Sequence, residues 1–155
     1  MKNLVIGLGN ILCCDDGIGI HILKSLEKRN KIADAQYLDL GTSSLDVCYH
    51  ITDDLSKIAV IDCLKNSSCN AGDVFKFSVD DLKKNRSSRY SLHQLEFVDS
   101  ISLISITEKL PETAVFAVAS KDIDSISMEI SDSLKKRFDE IVQKIEKEII
   151  IFFRS

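Results

Sequence analysis

Acidic side chains and a histidine that could form a metal-dependent site are spread over the first two thirds of the chain. Adjacent Asp15 and Asp16 lie between two pairs of glycines, Asp62 follows a short apolar segment, and His93 begins a segment with helical spacing. Two carboxylates and an imidazole suit a borderline divalent metal such as nickel or zinc. We therefore predict Asp16, Asp62 and His93 as the catalytic and metal-binding residues.

The two neighbouring aspartates are expected to differ in role, because one carboxylate is sufficient to cap a helix. Apolar residues recur at helical spacing over residues 17–29, where they predict a helix. An acid at the N-terminal end of that helix would stabilise it. We assign this capping role, or the geometry of the loop, to Asp15 and the metal to Asp16. An Asp15→Asn change should then cost little stability, since asparagine keeps a capping oxygen.

Strands that alternate with helices must position these side chains. The apolar residues 4–6 and 58–61 are typical of strands covered on both faces of a sheet. We predict an α/β fold, a three-layer α/β/α sandwich with a twisted, mainly parallel sheet of about five strands. The predicted strands are residues 4–6, 35–40, 57–61, 73–79 and 113–119, and the predicted helices are residues 17–29, 43–51, 93–106 and a closing helix through Leu134, Phe138, Ile141 and Ile145.

The order of these elements places several acids at one edge of the predicted sheet. The Asp15-Asp16 turn follows the first strand, Asp39 lies at the end of the second, and Asp62 ends the third. Ligands of such folds bind beyond the carboxyl ends of the strands. We therefore expect these acids to converge on one rim.

The glycines after the first strand also suggest a nucleotide-binding turn. Gly7 and Gly9 match the beginning of a Gly-x-Gly-x-x-Gly motif, but Leu12 occupies the position of the third glycine. Asp15 and Asp16 would moreover repel a phosphate. The sequence favours other chemistry over dinucleotide binding.

Size and composition set further limits on function. The 155 residues predict a single domain over residues 1–155, and the net charge of -4 gives no basic surface for nucleic acid. The most apolar segment, residues 149–153, is far shorter than the roughly 20 residues that cross a membrane, so we expect no membrane insertion. Five cysteines without Cys-x-x-Cys spacing favour reduced thiols and a cytoplasmic location.

A longer pattern gives a specific resemblance. Residues 7–19, of the form Gly-x-Gly-Asn-x-Leu-x-x-Asp-Asp-Gly-x-Gly, resemble the N-terminal signature of the hydrogenase maturation proteases. Three further segments are similar to that family and occur in its order: residues 38–42, 57–62 and 91–95. The chain departs from the family late: many members have a glycine and then an acid or amide followed by proline, whereas this chain has Ala117, Ala119 and Ser120.

The resemblance implies the α/β/α architecture and specific site residues. It implies metal contacts at Asp16, Asp62 and His93, and the glycine-rich backbone is expected to approach substrate. Asn10 is expected to anchor the first loop by a bond from its side chain to backbone. The predicted substrate-binding residues are Gly7, Gly9, Asn10, Gly41 and Thr42.

The resemblance also implies a reaction. It is cleavage of the C-terminal extension from the nickel-loaded precursor of a nickel-iron hydrogenase large subunit by a monomeric endopeptidase. Nickel would arrive with the substrate, and no tightly bound cofactor of the enzyme's own is expected. Two alternatives remain open. They are a conventional metallopeptidase with its own zinc, and a non-hydrolytic, nickel-dependent checkpoint protein that only binds the precursor.

Overall fold

One sheet organises the computed structural model, which describes residues 2–65, 68–84, 92–106 and 110–155. Its five strands are β1 (Lys2–Leu8), β2 (Ala35–Gly41), β3 (Leu55–Lys65), β4 (Val74–Ser78) and β5 (Glu112–Ser120). They lie in the order β2-β1-β3-β5-β4. All neighbours are parallel except β4, which runs antiparallel to β5 at one edge. The predicted mainly parallel sheet is confirmed.

Helices cover both faces of this sheet. They are α1 (Ile18–Arg29), α2 (Val79–Lys84), α3 (Leu92–Ile104), α4 (Asp132–Lys135) and α5 (Phe138–Arg154), with 3₁₀ helices at Cys14–Gly17 and Ser44–Tyr49. On one face, Ile22 of α1 and Ile145 of α5 are fully buried against the strands. On the other, Phe97 and Ile101 of α3 pack against them. The three-layer α/β/α sandwich is therefore confirmed.

The predicted closing helix is divided in two. A break at Lys136 and Arg137 separates α4 from α5, although Leu134 before it and Ile141 after it both enter the core. None of the described helices is long and apolar enough to cross a membrane.

The topology opens the sheet between β1 and β3. The chain leaves β1 towards β2 on one side, while β3 lies on the other side. Pairing of β1 with β3 ends at Gly7 and Ile61, but pairing of β3 with β5 continues to Lys65 and Ser120. A parallel sheet binds its ligands at such a point. Asp62, the next residue of β3 after Ile61, thus lies at this fork.

Helix α1 approaches the sheet unusually closely at Gly19. A Cβ atom at this position would lie 2.4 Å from the carbonyl oxygens of both Leu8 and Ile61. Only glycine allows this approach without displacement of backbone. The close contact fixes the beginning of α1, and with it the preceding loop, against the ends of β1 and β3.

Gly19→Ala is expected to lower the free energy of unfolding by about 1–3 kcal/mol, because the added methyl group overpacks two backbone carbonyls. Urea denaturation followed by circular dichroism measures the change. Lys28→Ala, on the exposed side of the same helix, is the matched control and should leave stability nearly unchanged. Equal stability of the two variants would contradict the prediction.

Candidate active site

The centre of the site is the carboxylate of Asp16, a residue that is only 8% exposed. Its Oδ2 atom accepts hydrogen bonds from the backbone N–H of Asn10 at 2.9 Å and from Nε2 of His93 at 3.2 Å. The Oδ1 atom accepts a hydrogen bond from the Cys63 thiol at 3.2 Å. Burial alone would raise the pKa of Asp16, but these hydrogen bonds outweigh it and hold the pKa below its ordinary value. Asp16 is therefore a stable carboxylate.

The loop between β1 and α1 has the backbone geometry that this carboxylate requires. Gly9 has φ +130°, and a Cβ atom there would lie 2.0 Å from the Asp16 carbonyl oxygen. The Oδ1 atom of Asn10 accepts the backbone N–H of Leu12 at 3.0 Å. The expected anchoring of the loop by the Asn10 side chain is thus confirmed. The 3₁₀ helix Cys14–Gly17 then directs Asp16 inward.

His93 reaches the site from the first turn of α3 and is held there by its backbone. Its carbonyl oxygen accepts the Ser44 hydroxyl at 3.1 Å. The hydrogen bond to Asp16 raises the pKa of the His93 imidazole, against burial, which lowers it. The charge of Asp62 adds to the increase. Asp16 and His93 thus form a carboxylate–imidazole pair, which joins α3 to the loop after β1.

Asp62 lies deeper than expected. The sequence predicts it at the end of the third strand, but β3 continues to Lys65 and the residue is completely buried. Its Oδ1 atom accepts the backbone N–H of Cys63 at 2.7 Å. Asp62 acts on the site through its charge, which raises the pKa values of both His93 and Cys63. The structure thus brings Asp16 and His93 into contact and places the Asp62 charge close enough to act on His93.

Cys63 and Gln94 are the site residues that the sequence did not indicate. Burial raises the pKa of the Cys63 thiol well above its ordinary value, and the charges of Asp62 and Asp16 raise it further. The thiol therefore remains a hydrogen-bond donor. The Gln94 side chain donates from Nε2 to the Cys63 carbonyl oxygen at 2.8 Å. Each of the two follows a predicted site residue directly, and this adjacency was the available signal.

Asp15 has a different role from the predicted helix cap. Its buried carboxylate accepts the Ser131 N–H at 2.7 Å, the Ser131 hydroxyl at 2.9 Å and the Asp122 N–H at 3.4 Å. Among the described residues, no side chain caps either Cys14–Gly17 or α1. The expected helix cap is wrong, because the turn buries Asp15 against residues 122–131, whereas the expected role in the geometry of the loop is confirmed. Asp15 ties the loop that carries Asp16 to a distant part of the chain.

The predicted substrate-binding residues fall into two groups. Gly7 and Gly9 are buried, and their missing side chains allow close packing against Gly19 and Asp16. Gly41 is half-buried with φ +52°, and Thr42 is exposed. Of these four, only Gly41 and Thr42 lie where substrate can reach them. Ser91, at the beginning of the histidine motif, lies outside the described residues.

Asp39 lies at the same carboxyl edge of the sheet, in register with Gly7, and its carboxylate bonds within its own turn. Its Oδ1 atom accepts the Gly41 N–H at 3.0 Å, and its Oδ2 atom lies 3.8 Å from Nζ of Lys24. This side chain shapes the exposed turn after β2.

The donor geometry tests whether the enzyme could hold a metal of its own. Within residues 2–65, 68–84, 92–106 and 110–155, no three His, Cys, Asp or Glu side chains are grouped so that they could hold a metal ion. A catalytic zinc site uses three protein ligands. The described residues therefore do not fit a resident zinc, and a shared metal would have to complete its coordination from the substrate.

Comparisons with known proteins agree with this fold. The family model HycI, hydrogenase maturation protease, matches residues 20–148. Hydrogenase 2 maturation protease of Escherichia coli is 26% identical over 113 residues, which are 72% of this chain and 68% of that protein. Because the family model matches most of the chain, the chain belongs to the hydrogenase maturation protease family. The predicted endopeptidase class is thereby confirmed.

Two solved structures share the architecture. The NiFe hydrogenase maturation protease HybD from Thermococcus kodakarensis has a TM-score of 0.78 and 25% identity, covering 95% of this chain and 98% of that one. The hydrogenase maturating endopeptidase HybD from E. coli also has a TM-score of 0.78, at 19% identity, covering 94% and 90%. The fold is therefore that of these proteases along nearly the whole chain.

Asp15→Asn is expected to lower the free energy of unfolding by about 1.5–3 kcal/mol, since hydrogen bonds to a buried charge are lost. The asparagine amide would also face a donor from Ser131 or Asp122. Urea denaturation measures the change, and exposed Asp53→Asn is the matched control. A stability equal to that of the control would restore the capping interpretation.

Asp16→Asn is expected to lower the His93 pKa, because the hydrogen bond and charge that raise it are lost while burial remains. In the wild type, the raised His93 pKa adds stability below the ordinary value of 6.5, which is lost as pH rises through the folded value. The lowered Asp16 pKa adds stability above 3.8, which is lost as pH falls. NMR titration of the ring measures the shift, and an unchanged His93 pKa would disprove the pairing.

Proposed function

We propose that this protein removes the C-terminal extension from the nickel-loaded precursor of a NiFe hydrogenase large subunit. One observation carries the proposal: the nearly buried Asp16 carboxylate is paired with His93 beside the fork of the sheet, within the field of Asp62. Membership of the hydrogenase maturation protease family supports the client class.

Nickel is part of the substrate in this proposal. Asp16 and His93 offer the oxygen and nitrogen donors that a borderline metal accepts, and the buried Asp62 adds negative charge beside them. The precursor's cysteine thiolates would supply the remaining ligands. The negative charges of Asp16 and Asp62 attract a metal-loaded precursor more strongly than they attract a metal-free one. Nickel then marks the precursor as ready for cleavage, and the enzyme needs no resident cofactor.

The Asp16–His93 pair is suited to move protons during hydrolysis. In the free enzyme, the raised pKa of His93 and the lowered pKa of Asp16 place the proton on the imidazole, so the pair is an imidazolium beside a carboxylate. Water adds to the scissile carbonyl and passes a proton to the pair, and His93 returns one to the leaving amine. The water is activated by either nickel or a carboxylate. In both cases the nickel also contributes to recognition of the precursor.

A surface cleft supports a path for the peptide. It has a volume of ≈ 450 Å³ and is lined by residues 42–46 on one side and by Glu96, Asp99 and Ser100 on the other. Ser44, one of these lining residues, donates its hydroxyl to the His93 carbonyl. We place the extended C-terminal peptide of the precursor in this cleft, in contact with Gly41 and Thr42.

The setting of the reaction follows from the thiols and the charge. Cys13, Cys14, Cys48, Cys63 and Cys69 are all free, which suits a reducing compartment. We therefore place the enzyme in the cytoplasm, acting as a monomer on a protein client. The net charge of -4 offers nucleic acid no electrostatic attraction.

Nickel-loaded precursor is expected to be shortened by the purified protein, whereas nickel-free precursor is not, because the ligand set is incomplete without the metal. Mass spectrometry follows release of the C-terminal peptide. Asp16→Asn, Asp62→Asn and His93→Ala should each slow release by about 100-fold. Exposed Asp54→Asn, in the turn before β3 at the opposite end of the sheet, is the control and should cleave at the wild-type rate.

Each alternative function predicts a different outcome of this assay. Efficient cleavage of nickel-free precursor, together with a metal that copurifies with the enzyme, would favour the conventional zinc metallopeptidase. A stable complex with nickel-loaded precursor but no shortening would favour the checkpoint protein. Either result would overturn the proposed reaction.

A further inference from the structure

We propose that Cys63 is a positioning residue, whose thiol sets the orientation of the Asp16 carboxylate towards His93. The inference rests on the proposed function, in which Asp16 meets the substrate. Cys63 itself lies within β3 and is fully buried, so it has no access to substrate.

The geometry assigns the thiol a defined task. A carboxylate is planar, so a donor fixed at one oxygen determines where the other oxygen points. Cys63 Sγ lies 3.2 Å from Oδ1 of Asp16, and Oδ2 then faces Nε2 of His93. The Asn10 N–H also bonds Oδ2, which leaves Cys63 as the hydrogen-bond donor to Oδ1 among the described residues. Loss of the thiol would free the carboxylate to rotate.

Gln94 holds the backbone of Cys63 in place. Its amide bonds the Cys63 carbonyl oxygen at 2.8 Å and so fixes the backbone that carries the thiol. Gln94 follows His93 directly on α3. These residues therefore form a closed ring of contacts. Asp16 is hydrogen-bonded to His93, His93 is the chain neighbour of Gln94, Gln94 is hydrogen-bonded to the Cys63 backbone, and the Cys63 thiol is hydrogen-bonded to Asp16. The helix that supplies the imidazole thus also controls the donor on the other carboxylate oxygen.

Packing must be separated from hydrogen bonding, because Cys63 also belongs to the hydrophobic core on the α1 and α5 face. Cys63→Ala removes both contributions, whereas Cys63→Ser keeps a donor. Cys14→Ala is the matched control, since Cys14 is also a buried thiol beside a carboxylate. Its Sγ lies 3.8 Å from Oδ1 of Asp15, which bonds Ser131 and has no part in the proposed reaction.

The first test is the kinetics of cleavage of nickel-loaded precursor. Cys63→Ala is expected to reduce kcat by about 10- to 100-fold, since a displaced catalytic group is costly. KM should stay within about threefold, because substrate contacts are unchanged. Cys63→Ser should recover most of kcat, and Cys14→Ala should resemble the wild type. Equal losses in the alanine and serine variants, or a wild-type kcat in Cys63→Ala, would overturn the proposal.

The second test does not need the proposed reaction. The ¹⁵N and ¹H signals of the His93 ring, measured by NMR at one pH, report its hydrogen bond to Asp16. They should shift in Cys63→Ala, return towards the wild-type position in Cys63→Ser, and stay in place in Cys14→Ala. Unchanged His93 signals in Cys63→Ala would exclude the positioning role. If wild-type protein does not trim the precursor, the proposed function fails, and these signals still decide the role of Cys63.

Discussion

Burial of the Asp16 charge is the constraint on which the whole site depends. A nearly buried carboxylate is stable only when donors replace the water it has lost. Here the donors belong to separate parts of the fold: Asn10 in the loop after β1, Cys63 in β3 and His93 in α3. The sheet and one of its covering layers must therefore be assembled before this charge is accommodated. A change in any of the three contacts alters the same carboxylate.

The fork between β1 and β3 lets the two acids approach from opposite faces of the sheet. Neighbouring residues of a strand point to opposite sides, and Cys63 belongs to the core shared with α1 and α5. Asp62 is therefore directed to the other side, where α3 carries His93. Asp16 arrives from the beginning of α1. The charges of Asp16 and Asp62 come close together because the pairing of β1 with β3 ends before Asp62. A longer β1 would separate them.

Local rules account for what could be predicted. Apolar periodicity fixed the strands and most helices, and residue type with spacing indicated Asp16 and His93. Strand alternation gave no reason to join Cys63 to Asp16, since this contact crosses the fork between two strands. The partner of Asp15 was equally hidden, because Ser131 lies 116 positions further along the chain. The position of Asp39 near the end of β2 was predicted, but its bonds to Gly41 and Lys24 were not, because a position at a strand end does not determine which neighbours a side chain meets.

The Asp15–Ser131 contact has a consequence for biosynthesis. The motif that carries Asp16 is made early, but its tie to Ser131 spans 116 positions and forms only when most of the chain has been translated. Contacts of such separation close slowly, since the intervening chain must lose entropy first. We therefore expect the loop to acquire its final shape among the last steps of folding. A nascent chain would therefore carry the Asp16 motif before its loop is tied to Ser131.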